Sequence, residues 1–152
     1  MKLLIKKICN PELLGWLGLA PFFLGLTLLF YGNNFKQIAQ EIFLTYAAII
    51  LTFLGAVHWG VLISSDGEKF YHIKEKSIFY LWSISTSLIA WFGLLVYIFL
   101  KNYYLSSFIM LWGFFIALII DFKFFNFIQW YQKLRLYLSI VVIVCILISF
   151  LK

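Results

Sequence analysis

Charge is what this sequence has least of. Of its 152 residues 12% are charged and 64% are hydrophobic, where a soluble domain carries about 25% charged residues. A small soluble domain must leave much of its surface in water and has nowhere to hide so much apolar surface. A disordered chain is excluded by the opposite test, since disorder needs low hydrophobicity and high charge. Cysteine is nearly absent. Cys9 and Cys145 form no metal or redox spacing, and they fall on different sides of the topology derived below, too far apart to bridge. Histidine occurs twice, at His58 and His72, and acidic residues number six. No paired carboxylates or second ligand share a helix with His58, so no metal site and no cofactor are predicted. The remaining class is an integral membrane protein.

The few charges sit in clusters, and long uncharged runs lie between them. A bilayer-crossing helix needs roughly 20 apolar residues. The runs predict an all-α polytopic fold, a bundle of five transmembrane helices in one membrane domain. The expected spans are 13–31, 42–65, 77–100, 102–120 and 136–151. The last is short at 16 residues and crosses if Arg135 and Lys152 reach out to the headgroups; a re-entrant segment is the alternative. Residues 124–135 are aromatic on one side and basic near their end. They are expected to lie along the membrane surface.

Lys and Arg alternate 3, 1, 3, 1, 3, 1 over the six segments outside these runs. Basic residues concentrate on the cytoplasmic side, so the N-terminus is expected inside and the C-terminus outside. The net charge of +6 is therefore a topology signal facing anionic headgroups. It forms no basic stripe with stacking aromatics, and no nucleic-acid partner is expected. The first run carries Trp16, Phe22, Phe23 and Phe30 with no cleavage-site pattern after it, and reads as a retained helix rather than a signal peptide.

Lipid gives helices no hydrophobic reason to associate, so close packing depends on small residues. Expected packing positions are Gly15, Gly18 and Gly25 in the first span, with Pro21 as a kink. The second has Ala48, Thr52, Ala56 and Gly60, spaced by four. The third has Ser83, Thr86, Ser87, Ala90 and Gly93 in one arc. The fourth has Ser106, Met110, Gly113 and Ala117, a ridge that ends at Asp121. The fifth has Arg135, Ser139, Val142, Cys145 and Ser149.

His58 is the sole histidine within a span, roughly 7 Å from the midplane at about 1.5 Å per residue. An intramembrane ionisable residue is a functional candidate, and a neutral imidazole that positions helices is the plainer alternative. Asp121 ends an inward helix and Arg135 begins an outward one, so the two are expected to approach, because a lone charge there is costly. His58, Ser83, Ser87, Asp121, Trp130 and Arg135 all fall in the expected cytoplasmic half. That layout suits a transporter poorly, since transporters need polar groups near the midplane.

Four stretches carry a family resemblance. They are Pro11–Phe22; Tyr46–Leu54 followed by Gly55-Ala56-Val57-His58-Trp59-Gly60; Ser83–Trp91; and Asp121 followed by Trp130-Tyr131 and Leu134-Arg135-Leu136. Together they resemble the transmembrane protein 69-like family, also described as domain of unknown function 3429. The specific elements are Gly-x-x-His-Trp-Gly and Trp-Tyr…Leu-Arg. The family pattern has Pro where this chain has Thr86. The resemblance implies a multi-pass protein of similar size, with bacterial and mitochondrial relatives, and marks His58, Trp59, Ser87, Asp121, Trp130 and Arg135 as family positions. It implies no activity.

Three functions fit these features. The first is a non-enzymatic inner-membrane protein that assembles or binds other membrane proteins or a second copy of itself. The second is a small or proton-coupled carrier using His58. The third is an intramembrane enzyme or a lipid- or quinone-binding protein with a cytoplasmic-side cavity. No nucleophile–base set is legible. The expected location is a bacterial inner membrane, or the mitochondrial inner membrane in a eukaryote.

Overall fold

The structure, a computed structural model, describes residues 10–31, 33–64, 73–124 and 129–151. Lys2, Lys6, Lys7, Cys9, Asp66, Lys69 and His72 lie outside the described residues. So do residues 125–128 of the expected surface segment. All regular structure among the described residues is helical. The elements are α1 (Pro11–Leu17), α2 (Ala20–Tyr31), a 3-10 turn (Asn33–Phe35), α3 (Lys36–Ile63), α4 (Ile73–Leu100), α5 (Tyr103–Phe124) and α6 (Gln129–Ser149). Counting α1 and α2 as one, five helical stretches are long and apolar enough to cross a membrane. This is a helical membrane protein.

Local chemistry explains the boundaries. Asn10 caps α1 by accepting the Glu12 N–H through its side chain at 3.1 Å, and Pro11 follows at the first helical position, where its missing N–H costs nothing. Pro21 has no N–H to offer the Leu17 carbonyl, and the helix breaks at Gly18–Leu19. There the backbone tightens: Leu19 N–H donates to Trp16 O and Phe22 N–H to Leu19 O, each at 3.0 Å. Gly18 thus ends α1. Between α4 and α5 the chain turns in two residues. Lys101 adopts a left-handed φ of 51° and its N–H donates to Tyr97 O at 3.0 Å. The Asn102 side chain then accepts the Leu105 N–H at 2.9 Å, an N-cap for α5.

Two boundaries differ from expectation. α3 begins at Lys36 rather than near 42, because charged residues at a membrane edge still make helical hydrogen bonds; Gln37 Nε2 donates to Glu41 Oε1 one turn on at 3.0 Å. Its 28 residues extend roughly 42 Å at about 1.5 Å each, more than the ~30 Å hydrocarbon core. The segment expected to lie apart along the surface is corrected in part: Gln129–Arg135 forms the first turns of α6. That gives the fifth helix 21 residues instead of 16, roughly 31 Å and enough to cross.

The chain divides into two compact units, Met1–Phe43 with Leu118–Lys152, and Leu44–Ala117. In the first, α1 and α2 pack against α6. Gly15 admits Leu134 and Leu138, whose methyl groups approach within 3.4 and 3.1 Å of where a Cβ would stand. Phe22 and Phe43, both fully buried, meet edge to face at 5.5 Å. The second unit is an antiparallel run of α3, α4 and α5. At Gly113 all three meet, since a Cβ there would stand 2.6 Å from Leu51 and 3.1 Å from Ile89. Ser106 Oγ donates to the Gly93 carbonyl at 2.7 Å, a buried bond tying α5 to α4.

Candidate functional site

Each unit holds one group of the polar residues that the sequence singles out. In the first unit these are Asp121, Trp130 and Arg135. Asp121 is on α5 and Arg135 on α6, 4% and 3% exposed. Arg135 Nε donates to Asp121 Oδ2 at 2.8 Å, and Nη2 lies 2.6 Å from the same oxygen. The expected approach of the two charges is therefore present as a buried, doubly hydrogen-bonded ion pair. Its third arm reaches along the helix: Nη1 contacts the Tyr131 hydroxyl at 3.2 Å, and the guanidinium lies over the Tyr131 ring at 5.6 Å. Gln132 Nε2 donates to Phe122 O at 2.6 Å, a second polar tie between α5 and α6. Trp130 does not join them. It is 51% exposed and meets only the ring of its neighbour Tyr131 among the ring contacts of the described residues.

Such a pair is strong in one sense only. Removing one partner strands a buried charge, which costs about 3–5 kcal/mol, while an apolar replacement of both can be neutral. Its evident work is to clamp the start of α6 to the end of α5.

In the second unit, His58, Trp59, Ser83 and Ser87 lie along the α3–α4 seam. His58 is fully buried, and its ring lies parallel to Phe79 at 6.3 Å. One turn earlier on the same face is Gly55, where α4 leaves no room for a side chain. A Cβ there would overlap the Thr86 hydroxyl and stand 2.8 Å from the Ser83 carbonyl oxygen. Ser83 Oγ donates to Phe79 O at 2.8 Å and Thr86 Oγ1 to Ser83 O at 2.9 Å. Both hydroxyls are thus spent on their own helix, the usual resolution for Ser and Thr in an apolar helix. Trp59 lies at the open edge of this seam, 43% exposed, edge-on to Tyr80 of α4 at 5.6 Å.

The expected ridge of α3 needs correction. Ala48 is buried, but Ala56 and Gly60 are exposed, and nothing lies within 4 Å of a Cβ placed at Gly60. The inward face of α3 is instead the adjacent ridge of Leu51, Gly55, His58 and Leu62. The ridge of Ala48, Thr52 and Ala56 lines one wall of a groove, open along its length, whose other wall is α4. One part of about 320 Å³ includes Thr45, Ala48, Thr52, Ser87 and Trp91. A second of about 370 Å³ includes Ala56, Trp59, Ser83 and Ser87. Ser87 belongs to both.

The chain matches the sequence profile of a family described as "Protein of unknown function (DUF3429)" over residues 10–151. It belongs to the DUF3429 family. The match starts at Asn10, the cap of α1, and takes in all six helices, so the DUF3429 unit includes both the ion pair and the groove. No curated protein and no solved structure matches the chain.

Three residues shape these sites in this DUF3429 protein beyond the expected polar and packing positions: Gly55 and Tyr131, which stand in the family stretches with no role assigned, and Thr45, which the sequence does not single out. Tyr131 sits four residues before Arg135, the helical spacing that brings side chains together. Gly55 precedes His58 by three and so shares its face, a sign that was available. Thr45 heads the groove at seven residues before Thr52, two helical turns.

Proposed function

We propose that the protein is a non-enzymatic, multi-pass component of a bacterial or mitochondrial inner membrane that binds other transmembrane helices, with its N-terminus on the cytoplasmic or matrix side as the charge alternation predicts. The observation that carries this reading is the α3–α4 groove. Small residues in membrane helices are the means by which backbones approach one another. Here Ala56 and Gly60 are not used for that purpose within the fold, while Gly55 beside them is. A small-residue ridge left open to the outside suits an incoming helix. The groove is long and open rather than enclosed, which favours a helix over a small ligand, since ligand sites bury most of their ligand.

The full burial of His58 and its stacking on Phe79 support a positioning role for that residue and weigh against a carrier, whose ionisable group must be reached from water. The test is a photo-cross-linking amino acid at Thr52 in native membranes. A discrete protein adduct, absent when the probe sits at the exposed Phe108 of α5, is expected. Labelling of lipid alone at Thr52 would overturn the reading.

A further inference from the structure

We infer that one face of α6 binds an anionic phospholipid of the leaflet in which that helix begins, the inner leaflet in the proposed orientation. The residues are Trp130, Lys133 and Tyr137, which take no part in the α3–α4 groove.

Spacing puts them together. They stand three and four residues apart, the separations that bring helical side chains to one face. All three are exposed, Trp130 by 51% and Tyr137 by 55%. Leu134, Arg135 and Ser139 of the same helix are buried, so its other side is the one that packs. Each of the three carries a donor: an indole N–H, an ammonium and a phenol O–H. None of these donors makes a hydrogen bond or an ion pair among the described residues. A Ser or Thr hydroxyl in an apolar helix can turn back on its own helix carbonyls. These longer side chains carry their donors away from the backbone, toward whatever surrounds the helix.

Depth identifies that surrounding. The 21 residues of α6 cover roughly 31 Å, close to the ~30 Å hydrocarbon core. Trp130 is one residue from the start. Lys133 lies roughly 6 Å along the helix and Tyr137 roughly 12 Å. Side chains on a helix lean back toward its N-terminus, and in α6 that end is the membrane surface. The lysine stem can lie along the apolar face while its ammonium rises to the headgroups. The Tyr137 hydroxyl leans the same way. The three donors are thereby directed to the level where lipid phosphate is the acceptor at hand.

Charge selects among lipids. The acidic residues of this unit among the described residues are Glu12, Glu41 and Asp121. Asp121 is held by Arg135, and Glu41 accepts from Gln37. No ion pair joins Glu12 to Lys133. Lys123, exposed in the last turn of α5, adds a second positive charge at the same surface. A zwitterionic headgroup brings a cation of its own, whereas an anionic one does not, so a lipid of net negative charge is favoured.

The test is native mass spectrometry of the full chain in detergent micelles, with dioleoyl phosphatidylglycerol or dioleoyl phosphatidylcholine added. Phosphatidylglycerol should bind more tightly. Lys133→Gln should weaken it about fivefold, the worth of one basic residue near an anionic surface, and leave phosphatidylcholine unchanged. Trp130→Phe keeps the ring, loses the N–H and should weaken phosphatidylglycerol by a smaller factor. Lys101→Gln alters an exposed lysine at the opposite end of α5 and should change neither lipid. Each altered side chain is exposed, so helix content by circular dichroism should stay constant. Equal binding of the two lipids, or equal losses from Lys133→Gln and Lys101→Gln, would overturn the proposal. So would displacement of bound phosphatidylglycerol by millimolar inorganic phosphate, since the face would then serve a free anion.

Discussion

Two glycines five residues apart on α3 should respond in opposite directions to the same methyl group. At Gly55 an added Cβ would overlap Thr86 Oγ1, stand 2.8 Å from Ser83 O and 3.0 Å from Thr86 Cβ. The Ser83 oxygen is backbone and moves only if α4 moves. The Thr86 hydroxyl can turn aside only by giving up its 2.9 Å bond to Ser83 O. Overpacking of this kind costs about 1–3 kcal/mol, and the lost hydrogen bond adds roughly 0.5–1.5 kcal/mol. Against that stands the helix preference of Ala over Gly, about 1 kcal/mol. Gly55→Ala should therefore lose about 1–3 kcal/mol. At Gly60 nothing lies within 4 Å, so only the preference remains, and Gly60→Ala should gain up to about 1 kcal/mol. Reversible unfolding in mixed micelles, titrated with a denaturing detergent and followed by helix content, measures both on one scale. A Gly60→Ala loss as large as that of Gly55→Ala would refute the assignment of the inward face. So would a neutral Gly55→Ala.

Two further predictions follow from the hydrogen bonds at the helix ends. Asp121→Ala should cost about 3–5 kcal/mol by stranding Arg135, whereas Asp121→Leu with Arg135→Met should recover most of that; independent, additive losses in the same unfolding assay would show that the two do not act as a pair. Asn102→Ala removes the cap of α5 and should cost about 1 kcal/mol, while Asn102→Asp, which keeps an acceptor at that position, should lose much less; equal losses would show that capping is not what Asn102 contributes.

Much of this was readable from the chain. The ridge Ser106, Met110, Gly113, Ala117 and Asp121 is buried throughout, and so are Arg135, Ser139, Val142, Cys145 and Ser149. Both ridges carry a charge, and the ion pair leaves that charge one direction to face. α3 has no such marker. Its two adjacent ridges, Leu51–Gly55–His58–Leu62 and Ala48–Thr52–Ala56–Gly60, both contain small residues, and only one meets α4 in the fold. The helix ends also ran past the apolar runs, because Lys36, Gln37 and Glu41, like Gln129 to Arg135, keep helical hydrogen bonds where hydropathy has already failed.

The sequence by itself determined how many helices are apolar enough to cross a membrane, where each lies and where α1 breaks. Those features are set locally, by the cost of charge in hydrocarbon and by proline's missing N–H. Only the tertiary structure decided which side of α3 is the inside. Water marks the outer face of a soluble helix with polar residues, but hydrocarbon and protein interior are equally apolar. The choice between neighbouring ridges therefore fell to fit, to the space that Gly55 leaves for Ser83 and Thr86, and no residue in one helix announces what shape the next will present.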